Sequence, residues 1–307
     1  MSSAYRVPRL SLALIAAMLF VSIPTDAASS QLRVCADPNN LPYSNDKMQG
    51  FENRIAELVA KDLGMELSYF WYPQREKFFR RTLNSGMCDV VMGVPSGFDE
   101  ADTTRPYYRS SYVFVSRRDR DLHIHSFDDP RLKALSIGVH ILGNGDDSLP
   151  PVHALTTRGI VTNLVGFSIF GNLNEANPAA DLIQAVTDKK VDVAVAWGPL
   201  AGYFTQQSQT ALEITPIADE SPTPDLPLSF DIGMGVREGD TKLKEQLDSE
   251  LVRRKADIDQ ILRSFGIPQS NRDGSSSTES SDAKPSSLSE QLSTDLSPLT
   301  REEIQHE

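Results

Sequence analysis

Apolar positions recur with two different periods along the chain, and the switch between them marks out the elements. Residues 32–36 (Leu-Arg-Val-Cys-Ala) read as a short strand. Asp37-Pro38-Asn39-Asn40-Leu41-Pro42 stops it, since two prolines and two asparagines in six residues make a loop. After Gly50, the residues Phe51, Ile55, Leu58, Val59 and Leu63 fall on one helical face, and Gly64 supplies a C-terminal stop. Residues 65–72 alternate as a second strand. Phe78, Phe79 and Leu83 mark a second helix ended by Gly86, and residues 89–94 are a third strand, apolar from Val90 on. This order predicts a parallel sheet with crossover helices.

The pattern then recurs. Residues 135–139 read as a strand and 181–186 as a helix carrying Leu182, Ile183 and Val186. Lys189-Lys190-Val191-Asp192-Val193-Ala194-Val195-Ala196 repeats the turn, aspartate and apolar strand of Gly86-Met87-Cys88-Asp89-Val90-Val91-Met92-Gly93. Two similarly built lobes are expected, although common βα punctuation gives the same likeness by chance. Residues 112–116 read as a strand leaving the first unit and 230–236 as a strand returning to it. Two such crossings make a hinge with a cleft between the lobes. Leu243, Leu247, Leu251, Ile258, Ile261, Leu262 and Phe265 space two closing helices, which end at Gly266-Ile267-Pro268. Open parallel sheets bind ligands beyond their strand C-termini, which puts the cleft at residues 39–43, 71–75, 95–98, 140–145 and 197–199.

The two ends of the chain differ from this. Arg6 and Arg9 precede an apolar run at 10–23 and then Pro24-Thr25-Asp26-Ala27, the pattern of a secretory signal peptide cut after Ala27. The run is shorter than the ~20 residues of a membrane span, so an exported chain without membrane insertion is expected. From Gln269 onward the sequence is acidic and Ser-rich, with too little apolar area to offset the entropy of ordering it, and reads as a disordered tail. The formal net charge of −12 over 307 residues argues against nucleic acid. Cys35 and Cys88 are the two cysteines. In an oxidising compartment they suggest a disulfide; two buried thiols on neighbouring strands are the alternative.

Over residues 32–268 the chain resembles the family 3 periplasmic solute-binding proteins. The residues that carry this are Leu32-Arg33-Val34, Gly50-Phe51-Glu52, Leu83-Asn84-Ser85-Gly86-Met87-Cys88-Asp89, Pro106-Tyr107-Tyr108 and Gly233-Met234-Gly235-Val236-Arg237-Glu238-Gly239-Asp240. The resemblance implies an α/β, type II periplasmic-binding-protein-like fold: two lobes, each a mostly parallel sheet flanked by helices, joined by a two-strand hinge. The expected division is 1–27 signal peptide, 28–110 with 229–268 lobe 1, 111–228 lobe 2 and 269–307 tail. Val34-Cys35-Ala36-Asp37-Pro38-Asn39-Asn40-Leu41-Pro42-Tyr43-Ser44, Thr103-Thr104-Arg105-Pro106-Tyr107-Tyr108-Arg109-Ser110 and Ala196-Trp197-Gly198-Pro199 resemble the methanol-dehydrogenase-associated branch. That branch implies a role with a quinoprotein alcohol dehydrogenase, in maturation, activation or cofactor handling; a periplasmic monomer is expected. The partner enzyme is expected to use pyrroloquinoline quinone with calcium or a lanthanide; no cofactor is assigned to this chain.

The cleft chemistry bears on the same question. Amino-acid binders of family 3 hold the ligand carboxylate with an arginine after the third strand and its ammonium with an aspartate after the second-lobe strand. Here residues 94–104 contain no arginine, and Trp197 follows Val195-Ala196. Charge-assisted bonds are worth ~1.5–3 kcal/mol each, so losing both weakens an amino-acid site ~100- to 10,000-fold. Arg105, close to the hinge, is the one candidate replacement. Trp197 offers a flat apolar face to an aromatic ligand or a partner loop, or fills the space of a smaller ligand site.

The candidate cleft residues are Asn39, Asn40, Tyr43, Trp71, Tyr72, Arg105, Tyr108, His140 and Trp197, with Asn39 and Asn40 equally explained as turn formers and Tyr108 as hinge packing. His123-x-His125 before Asp128 and Asp129 lacks a third ligand at metal spacing, and Gly143-Asn144-Gly145-Asp146-Asp147 is an acidic turn with weak calcium character. No nucleophile elbow, phosphate loop or metal-type cysteine pair is present. A non-catalytic accessory protein is therefore expected, with a solute receptor delivering a small organic molecule to an ABC transporter as the alternative.

Overall fold

The computed structural model describes residues 30–142, 149–169, 177–218 and 227–269. The signal-peptide reading, the acidic turn at 143–147 and the tail beyond Gln269 lie outside these residues. Along the chain run β1 (Gln31–Ala36), the short pair β2 (Asn39–Asn40) and β3 (Ser44–Asn45), α1 (Phe51–Asp62), β4 (Glu66–Trp71), α2 (Phe78–Arg81), β5 (Val90–Pro95), β6 (Asp102–Thr103) and β7 (Tyr108–Arg117). There follow β8 (Ile137–Ile141), α3 (Pro150–Thr156), β9 (Leu164–Ser168), α4 (Asp181–Thr187), β10 (Val193–Trp197), α5 (Gly198–Gln207), β11 (Leu212–Pro216), β12 (Ser229–Val236), α6 (Thr241–Arg253) and α7 (Lys255–Ser264).

The strands lie in the order β4-β1-β5-β12-β7-β10-β8-β9. β1 pairs in parallel with β4 and β5, and β8 in parallel with β9 and β10. The two parallel sets meet through antiparallel strands. β7 pairs with β12 at residues 108–111 and with β10 at 112–116. One strand thus passes from one lobe's sheet into the other's. Each lobe has its own core: Phe51, Ile55, Val59, Leu247 and Leu262 in the first, and Phe114, Ile137, Leu155, Leu182 and Val193 in the second.

The repeated aspartates have one structural job. Asp89 accepts the Arg33 backbone N–H and its guanidinium, and returns its own N–H to the Arg33 carbonyl. Asp192 accepts the Ser136 N–H and the Arg120 guanidinium, and its N–H reaches the Ser136 carbonyl. In both lobes the carboxylate satisfies donors that the start of a parallel strand leaves open. The likeness between the two segments is therefore physical.

The second helix is shorter than its apolar spacing predicts. α2 makes one turn, Thr82 breaks it at φ −120° and ψ −85°, and Leu83–Ser85 continues as a 3-10 turn. Cys35 and Cys88 are bonded, with Cα atoms 5.5 Å apart. The bridge lies in a small cluster with Phe78, Leu83, Val91 and Val94, beneath the loops that lead to the cleft.

Candidate functional site

The loop after β1 is fixed on the first turn of α1. Phe51 N–H donates to the Pro42 carbonyl at 2.8 Å and Glu52 N–H to the Tyr43 carbonyl at 3.0 Å. These are helix-start donors that have no partner within the helix. Gly50 allows the approach, because a Cβ there would stand 1.9 Å from the Tyr43 oxygen. The Asp37 carboxylate ties the loops after β1 and β4 together by accepting Asn39 N–H at 2.8 Å and Gln74 N–H at 2.6 Å. Asn40 Nδ2 donates to Gln74 Oε1 at 3.2 Å. These contacts hold Tyr43 and Glu52 at one place in the first lobe.

Between the lobes lies a cavity of about 650 Å³ at the C-terminal ends of the parallel strands. Of the residues singled out from the sequence, Asn39, Asn40, Tyr43, Tyr108, His140 and Trp197 line it. Trp71, Tyr72 and Arg105 do not, because strand alternation turns the first two onto packed faces. Trp71 stacks on Tyr69 at 4.5 Å, within the α1-side core, and Tyr72 lies among Phe70, Phe78 and the Arg81 guanidinium. Arg105 is exposed, and its backbone N–H is held by Asp248 on α6 at 2.6 Å.

The walls are aromatic. Trp197, the last residue of β10, meets Tyr112 on the crossing strand β7 edge-on at 5.2 Å and Phe230 near the start of β12 at 5.7 Å. It also packs against the cores of both lobes. Trp197 thus lines the cavity and packs at the junction of the lobes at the same time. Tyr43 reaches Phe51 at 5.5 Å, and Phe51 meets Tyr108 at 5.9 Å. Burial pushes the phenols of Tyr43, Tyr107 and Tyr108 well above their usual range, and all three remain neutral at physiological pH.

Glu52 is the group that sequence reasoning passed over. It is 7% exposed, lines the cavity, and stands against Gly93, where a Cβ would come within 2.3 Å of its Oε1. A carboxylate in the first turn of a helix is ordinarily favoured, but burial outweighs this and pushes the group up to about 8. Among the described residues no cation or hydrogen bond offsets that burial. The signal was present in the sequence: position 52 shares the stripe of Ile55, Ala56 and Val59, where an acid is out of place.

Opposite, His140 at 4% exposure is pushed down to about 4 by burial, while its ring bonds the Ala179 backbone. Its Nε2 has no partner among the described residues. At neutral pH the deep part of the cavity thus carries no charge. Charged residues occupy the exposed part of the lining: Lys77, which pairs with Glu76 at 3.0 Å, and the exposed Arg75 and Glu100. The Asn39 Oδ1 accepts Asn177 N–H from the second lobe at 3.4 Å, a long contact across the cleft.

Two other candidates separate from the site. His123 bridges the carboxylates of Asp121 and Glu213, while Asp128 and Asp129 pair with Arg158 and Arg131. No cluster of three metal-ligating side chains exists among the described residues. A groove of about 400 Å³ between α1 and α7 is bridged by the Asp62–Arg254 ion pair and lies apart from the cleft.

Comparison with known proteins agrees with this geometry. The model of the bacterial extracellular solute-binding proteins, family 3, matches residues 32–267. Protein MoxJ of Methylorubrum extorquens is 36% identical over 243 residues, covering 77% of this chain and 81% of that protein. The crystal structure of periplasmic binding protein XoxJ from Methylobacterium extorquens AM1 superposes with a TM-score of 0.65 at 36% identity, covering 78% of this chain and 99% of that one. The crystal structure of MxaJ from Methlophaga aminisulfidivorans gives 0.67 at 28%, covering 78% and 100%.

Proposed function

The chain belongs to the bacterial extracellular solute-binding proteins, family 3, and from that premise we propose that it is a non-catalytic periplasmic accessory protein of a quinoprotein alcohol dehydrogenase. The reading rests on its likeness to MoxJ, XoxJ and MxaJ over most of their lengths. One feature of the cleft supports a reading away from nutrient capture: Trp197 follows Val195-Ala196, where the resemblance to amino-acid binders implies an aspartate for the ligand ammonium, and residues 94–104 contain no arginine.

In this role the cleft opens about the strands β7 and β12 and takes a segment of the dehydrogenase against the aromatic wall of Tyr43, Tyr108 and Trp197. Lobe 1 is 28–110 with 229–268, and lobe 2 is 111–228. The protein is a monomer, exported by cleavage after Ala27, and assists maturation or activation of an enzyme carrying pyrroloquinoline quinone with calcium or a lanthanide. Immobilised mature protein incubated with periplasmic extract is expected to retain the dehydrogenase. Retention of transporter membrane components alone contradicts the reading and favours the solute receptor.

A further inference from the structure

The interior of the cleft has a property that docking does not use. An acid nine-tenths buried, with no cation and no hydrogen-bonding partner among the described residues, faces a cavity walled by Tyr43, Tyr108, Tyr112, Trp197 and Phe230. A buried polar group without a partner calls for one. Aromatic rings attract cations through their quadrupole, most strongly where water is excluded. An anion within an aromatic enclosure is complementary to a positive charge dressed in carbon. The cavity, at about 650 Å³, has room for a small organic molecule.

We propose that this cavity binds an organic ammonium cation lacking a carboxylate, with its charge against Glu52 and its methyl or methylene shell against the aromatic wall. This goes beyond dehydrogenase docking and does not depend on it. A zwitterionic amino acid fits less well, since among the described residues the buried part of the lining offers no arginine to receive its carboxylate. His140, neutral across the cleft, does not oppose the cation.

The site exchanges one ion for another. Before binding, burial keeps Glu52 protonated below about pH 8. The ammonium ion stabilises the carboxylate, so the acid proton leaves to solvent as the cation enters and the net charge of the cavity is conserved. Among the described residues, the titratable groups that interact with Glu52 are the phenols of Tyr43, Tyr69, Tyr107 and Tyr108, all of which burial holds neutral. Glu52 is therefore the group that supplies the proton.

Choline and its uncharged isostere 3,3-dimethyl-1-butanol make the test, titrated by calorimetry into the mature chain in buffers of differing ionisation enthalpy. Choline is expected to bind at least tenfold tighter than the isostere and to release close to one proton per molecule near pH 6.5. Its affinity should rise about tenfold per pH unit until the pH approaches 8, by proton linkage. Glu52→Gln should abolish the discrimination and the proton release. If that variant does not fold, the proton count of the unaltered chain decides. Absence of saturable choline binding, equal affinity for the isostere, or binding without proton release overturns the proposal. Failure to retain the dehydrogenase leaves these heats unchanged, so the two readings fail separately.

Discussion

Replacing Glu52 by glutamine should flatten one limb of the folding stability profile. In the folded chain Glu52 holds its proton to about pH 8; unfolded, it loses it near its ordinary value of 4.5. Between these values the folded state binds a proton that the unfolded state does not, so stability falls as pH rises, by about 1.4 kcal/mol per unit. Over the whole window this amounts to about 5 kcal/mol. His140 acts oppositely. It is neutral when folded and charges in the unfolded chain below 6.5, so its contribution is lost as pH falls toward 4. The two slopes cancel between about pH 4.5 and 6.5, and Glu52 alone acts above that. From pH 6.5 to 8 the unaltered chain should lose about 2 kcal/mol relative to Glu52→Gln. Urea unfolding followed by tryptophan fluorescence at several pH values reads the difference, since other titrating groups are common to both proteins. Parallel profiles for the two proteins would refute the assignment of Glu52 as a buried neutral acid.

Three other perturbations have definite outcomes. Joint replacement of Cys35 and Cys88 by serine should lower stability by ~4 kcal/mol on the chain-entropy account, given the sequence separation of 53; urea midpoints with and without reductant check this. Gly50→Ala places a methyl 1.9 Å from the Tyr43 carbonyl oxygen, so the loop must leave the start of α1. A loss of ~2–3 kcal/mol is expected, read by thermal melts, with faster amide exchange at Phe51 and Glu52. Gly202→Ala does the same at the seam between α5 and the Gly266 carbonyl, also at 1.9 Å. It should cost ~1–3 kcal/mol and loosen the stack of Tyr203 on Phe265, seen as altered aromatic NMR shifts.

Much of the fold was legible because the signals were local and strong. The stripe from Phe51 to Leu63 and the apolar run at 90–94 became α1 and β5, since nothing in the tertiary structure opposed their periods. β9 was not legible: Leu164–Ser168 is an edge strand whose side chains are largely exposed, so its alternation carries little apolar contrast. α3 begins with Pro150-Pro151, which reads as loop until the prolines are placed in the first helical turn. The cleft was found in outline from strand ends, but its membership depends on side-chain direction. Trp71 ends β4 and Tyr72 follows it, yet both turn to packed faces, while the lining begins at Pro73. Glu52 is hard to single out because it sits within the Gly50-Phe51-Glu52 motif, and only the apolar stripe it interrupts reveals it.

On the proposed function, this cleft serves a macromolecular partner in place of a free amino acid. Calorimetry with the mature chain, titrated in turn with purified quinoprotein dehydrogenase and with glycine, tests it most directly. Saturable heat is expected with the enzyme and none with glycine. Stoichiometric micromolar binding of glycine, with no heat from the dehydrogenase, would contradict it.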